Sequence, residues 1–220
     1  MVNKTVTEKR KGGKPDIELY IQIGIIAILL FVIAFNIGKV SSGQSVGGIG
    51  TVSASEIIPK GVPAVYGTAL GVSYDDVTAS NPQLADQTIR KLAQYEDMDL
   101  NSEEMGRYIK IAGSISCEYC CGANSIIFAN GERACGCAHS YAMRGLAKYL
   151  LTNNPEMSDA EILSELGKWK VLFFPDIHES KAIALEENGI DSKDYVTLAS
   201  NLYRGIEQGK TSGGSMVGGC

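Results

Sequence analysis

The chain has 220 residues, 45% of them apolar and 20% charged, with a formal charge of −5. That length suits one or two domains, and the apolar content can bury a core, which excludes a disordered or collagen-like chain. Twenty Lys and Arg against 25 Asp and Glu leave no overall basic field, so no nucleic-acid partner is expected.

Residues 19–38 read LYIQIGIIAILLFVIAFNIG, twenty residues without a formal charge. At about 1.5 Å per residue they would cover the ~30 Å hydrocarbon layer, so the sequence predicts a single transmembrane helix, with the lipid bilayer as a partner. The tail before it, residues 1–18, carries five basic residues against three acidic ones; after it, 15 basic residues face 22 acidic ones. Because basic flanks stay inside, the expected placement is a cytoplasmic N-terminus and an extracytoplasmic C-terminal domain. Residues 39–55 are Gly/Ser-rich and read as a flexible linker. A mainly helical domain is expected over 56–208, followed by a second Gly/Ser-rich tail, 209–220, ending in Cys220.

Within that domain, Asn81-Pro82 is a cap with a first-turn proline, and Leu84, Ile89, Leu92 and Tyr95 form an apolar stripe at helical spacing. Asn101 with Glu104 makes a capping box ahead of Met105, Tyr108, Ile109 and Ala112. A third helix is expected from about His139 to Leu151, stopped by Asn153, Asn154 and Pro155. Ser158 with Glu161 opens a fourth, carrying Ile162, Leu163 and Leu166. Residues 171–175, VLFFP, read as core-forming extended chain or a helix end, with short helices on either side of Gly189.

One β-hairpin is expected to interrupt the helices. Residues 125–129 are β-rich, and Asn130-Gly131 favours the positive φ angles of a type I′ turn leading into residues 132–134. A two-residue turn would set Cys135 opposite Ile126 and Cys137 opposite Asn124. Folding there returns Cys135-Gly136-Cys137-Ala138-His139 toward Cys117-Glu118-Tyr119-Cys120-Cys121, so six soft or borderline ligands converge: Cys117, Cys120, Cys121, Cys135, Cys137 and His139.

Paired cysteine knuckles suit a divalent ion that wants four tetrahedral ligands, because their short loops aim sulfur lone pairs the same way. The expected set is Cys117, Cys120, Cys135 and Cys137, with Cys121 and His139 as alternates or additional ligands. Zinc leads as the ion; copper(I) and iron–sulfur chemistry stay open, as do disulfides. The segment from Cys135 to Ser140 and the two helices after it resemble the cysteine-rich PCYCGC-motif proteins, a family regarded as metal-binding. That resemblance implies Cys135, Cys137 and His139 as ligands and covers about 50 residues, without the Pro-Cys-Tyr lead. Cys117-Glu118-Tyr119-Cys120 also resembles the dithiol of thioredoxin-like oxidoreductases, which gives an alternative function: a membrane-tethered thiol–disulfide oxidoreductase with Cys117 attacking and Cys120 resolving. No phosphate loop, dinucleotide fingerprint or metalloprotease motif is present, so the main expectation is a membrane-anchored metal-binding domain with a structural, protein-interaction or metal-capture role.

Overall fold

Polar side chains mark where the helices start. The computed structural model describes residues 52–209 and 216–218, together with Gln22, Ile25 and Ile26. Ser53 caps α1 (Ala54–Ile57) through a box closed by Glu56, and α2 (Gly67–Leu70) follows. Asn81 accepts from the Leu84 N–H to open α3 (Pro82–Ala93). The Asn101/Glu104 box opens α4 (Ser102–Gly113), and the Ser158/Glu161 box opens α7 (Asp159–Phe173). Between them lie the single-turn α5 (Glu118–Cys121) and α6 (Ala138–Asn153), the longest helix among the described residues. Phe174 ends α7 and precedes α8 (Pro175–Glu187), whose first-turn proline needs no N–H partner; α9 (Tyr195–Ala199) closes the series. The 171–175 run is therefore a helix end.

Helix α6 is central, packing on α3, α4 and α7. Its buried Ala142, Met143, Leu146, Ala147, Leu150 and Leu151 meet Ile89, Leu92, Tyr108, Ile111 and Leu166. Each fully buried Leu or Ile contributes about 1.5–3 kcal/mol. Gly145 sets the closeness of α3 and α6, since a Cβ there would stand 2.2 Å from the Leu92 carbonyl oxygen. A smaller apolar cluster gathers Val52 and Ile57 against Val171, Ala182, Leu185, Leu198 and Ala199.

Two expectations are corrected. The hairpin does not form: among the described residues there is no β-strand, and a lone antiparallel bridge joins Ile127 to Arg133. A type I′ turn needs positive φ at both central residues, whereas here Gly131 has φ +85° and Asn130 does not take a positive φ. The chain reverses through a three-residue loop closed by Gly131 N–H to the Phe128 carbonyl (2.9 Å) and Phe128 N–H to the Glu132 carbonyl (2.7 Å). That shifts the register by one residue, so the Ala134 N–H reaches the Ile126 carbonyl and Cys135 no longer lies opposite Ile126. Ile126 meanwhile donates to the Ile115 carbonyl, which spends the backbone a second ladder rung would need.

The membrane placement is the other correction. The expected anchor at 19–38 lies outside the described residues apart from 22, 25 and 26. Among the described residues no helix is long and apolar enough to cross a bilayer. Even α6, at 16 residues, reaches about 24 Å and carries Arg144 and Lys148. The single-pass assignment, with its cytoplasmic N-terminus and extracytoplasmic domain, does not stand.

Candidate metal centre

Cys117 precedes α5 and its carbonyl accepts from the Cys120 and Cys121 N–H groups, both at 3.2 Å. This single turn stacks Cys117 and Cys120 three residues apart, and Gly122, at φ +69°, ends it by turning the chain away. On the other side of the site, Cys137 is the N-cap of α6: its sulfur accepts from the Ser140 N–H at 3.4 Å, with the Ser140 hydroxyl 3.3 Å away. His139 therefore enters within the first turn of α6, fully buried, its ring 4.5 Å from that of Phe173 and 5.2 Å from that of Phe174.

One ligand atom from each of Cys117, Cys120, Cys137 and His139 lies within 4.8 Å of all the others. The Cys117 and Cys137 sulfurs are 3.2 Å apart. The His139 Nε2–H donates to the Val217 carbonyl at 2.9 Å, which fixes the tautomer and leaves Nδ1 with its lone pair bare. Nδ1 is buried and has no hydrogen-bond partner. A buried polar atom without a partner costs about 1–3 kcal/mol, and a cation would relieve that cost. The donor set, three sulfurs and one imidazole with its far nitrogen held by a carbonyl, is that of a closed tetrahedral site with an orienting outer partner.

The thiols are already electrically biased. The Cys117 thiol hydrogen-bonds Cys137 and holds it well below the ordinary thiol range, with Ser140 adding to the effect against burial. Cys117 is pushed up by the same pairing and by burial.

The six candidates from sequence all meet here, but they divide differently. Cys121 and Cys135 form a disulfide, so Cys135 leaves the expected four-ligand set and His139 takes its place. The Cys135 sulfur still lies 3.5 Å from that of Cys137.

Two supports were not foreseen. Arg144, only 1% exposed, donates to the Ile126 and Cys135 carbonyls (2.9 and 2.8 Å) and pairs with Glu96, locking the reversed loop onto α6. Lys170, fully buried, donates to Glu118 Oε1 (3.1 Å) and the Ala199 carbonyl (2.9 Å), anchoring α5 to α7 and α9. Arg144 left a signal in the sequence as a charge on an otherwise apolar helix face, whereas the Val217 carbonyl left none. Glu118, spent on Lys170, is a structural partner in this arrangement.

Comparisons with protein families, curated proteins and solved structures return no match.

Proposed function

We propose that this domain is a metal-binding module that holds one zinc ion through Cys117, Cys120, Cys137 and His139, and that the ion fastens α5 to the start of α6. The observation that carries this reading is His139: a ring nitrogen lies within 4.8 Å of the sulfurs of Cys117, Cys120 and Cys137, and its Nδ1 is buried without a hydrogen-bond partner. Four protein ligands leave no coordination position for water, so the role is structural, stabilising a surface for a protein partner. The likeness to PCYCGC-motif proteins points the same way for Cys137 and His139. Full-length chain purified anaerobically should carry one equivalent of zinc by elemental analysis, and cobalt(II) exchange should give the absorption of a tetrahedral thiolate site. Copper or iron at the same stoichiometry would keep the site and change the ion; a folded chain without any of the three overturns the reading.

A thiol–disulfide oxidoreductase built on Cys117 and Cys120 has less support. An attacking thiol must be reachable and readily ionised, and Cys117 is fully buried with its ionisation disfavoured. Reduction of a model disulfide that survives Cys137→Ser but not Cys117→Ser would restore that alternative.

A further inference from the structure

The cysteines form two overlapping groups, and their overlap is Cys137. Its sulfur belongs with Cys117, Cys120 and His139, and also with Cys121 and Cys135, whose sulfurs lie within 4.8 Å of it and of each other. Two tetrahedral zinc ions can share one thiolate, because sulfur keeps several lone pairs and sulfurs bound to one ion sit roughly 3.8 Å apart for Zn–S of about 2.3 Å. The separations of Cys137 from Cys117 and from Cys135, 3.2 and 3.5 Å, both fall a little short of that value.

We infer that reduction of the Cys121–Cys135 disulfide creates a second soft-metal site, made of the Cys121 and Cys135 thiolates with Cys137 bridging to the first ion. The inference rests on the assignment of the first ion to Cys117, Cys120, Cys137 and His139. An external dithiol supplies the two electrons. Its thiolate attacks the Cys121 sulfur, which is on the exposed side, while Cys135 is only 5% exposed. The S–S bond breaks, the electron pair leaves on Cys135, and a mixed disulfide forms. The reagent's second thiolate then attacks its own sulfur in that mixed disulfide, releases Cys121 as thiolate, and closes the reagent into a cyclic disulfide. The metal ion replaces protons on the two released sulfurs.

Charge selects the class of ion. Five thiolates against zinc and a second divalent cation leave one net negative charge, whereas a monovalent second ion would leave two in a largely buried centre. The second ion is therefore a divalent soft cation. With three sulfurs and its fourth position toward solvent beside exposed Cys121, it exchanges faster than the first. Reductant thus changes the capacity of the domain from one ion to two, and makes the added ion the one available for transfer.

Cadmium(II) is the probe, with full-length chain and native mass spectrometry. The oxidised chain should bind one cadmium and the dithiol-reduced chain two, with a resolved cadmium–cadmium coupling through the shared sulfur by cadmium NMR, and a chelator should remove the second ion first. Cys121→Ser, at an exposed position, should hold one ion whether or not dithiol is present, and circular dichroism should show an unchanged helix content. One cadmium in the reduced wild-type chain overturns the inference and leaves the first site intact, as do two in reduced Cys121→Ser. No cadmium in the oxidised chain overturns the first-site reading and this inference with it.

Discussion

The domain buries two histidines, and the contrast between their surroundings separates a candidate ligand from a packing residue. His139 and His178 are both fully buried, and each donates one ring N–H to a backbone carbonyl: Nε2 to Val217 for His139, Nδ1 to Phe174 for His178. Each leaves its other nitrogen unpartnered. Around His139 the neighbours are three sulfurs. Near His178 they are the ammonium groups of Lys170 and Lys181, with the Tyr119 ring edge-on at 5.6 Å. Burial first, and then the Lys170 charge, keep His178 neutral well below the ordinary histidine range. An imidazole set among cysteine sulfurs suits a soft cation; one set near ammonium groups meets charges it cannot coordinate. The same side chain, equally hidden, thus stands in opposite chemical company at the two positions.

The largest expected effect breaks that contrast directly. His139→Ala should abolish stoichiometric zinc binding, while His178→Gln should retain one equivalent, both read by elemental analysis and competition with a colorimetric chelator. Equal zinc in both variants would erase the distinction.

A second, intermediate effect belongs to the ammonium side. Burial, reinforced by Lys170, lowers Lys181 from 10.5 to about 8, although Glu118 and Glu207 act in the other direction. Between pH 8 and 10.5 the unfolded chain holds a proton that the folded chain has released, so stability rises with pH across that window. Below pH 8 the buried charge costs the fold about 3 kcal/mol. Lys181→Met should therefore raise the urea-unfolding free energy at pH 7 by up to about 3 kcal/mol and flatten the alkaline rise seen in the parent chain. An unchanged slope would show that Lys181 does not carry it.

The smallest effect concerns orientation. A chain ending at Gly209 lacks the Val217 carbonyl that holds His139, and loss of such an outer partner lowers metal affinity roughly 10–100-fold. Competition titration should show that drop in the shortened chain, while Cys220→Ser in the full chain keeps the parent affinity.

Local signals in the sequence identified much of the fold. The Asn81, Asn101 and Ser158 caps each open the helix their spacing implies, because a cap is settled within four residues. The hairpin was not legible in this way. Asn130-Gly131 does turn the chain, but a ladder depends on partners elsewhere, and Ile115 takes the Ile126 N–H that pairing required. Convergence of the two cysteine groups was readable from the reversal between them. Their partition was not: the three-residue loop, the Arg144 clamp on the Cys135 carbonyl and the return of Val217 to His139 decide which sulfurs pair and which face the imidazole.

The dual position of Cys137, at once the cap of α6 and a member of both cysteine groups, makes one replacement unusually informative. Serine is among the preferred cap residues, so Cys137→Ser would preserve helix initiation while deleting the shared thiolate. The variant's helix content would persist, while its ion content, and with it the thermal stability that a structural ion lends, would fall.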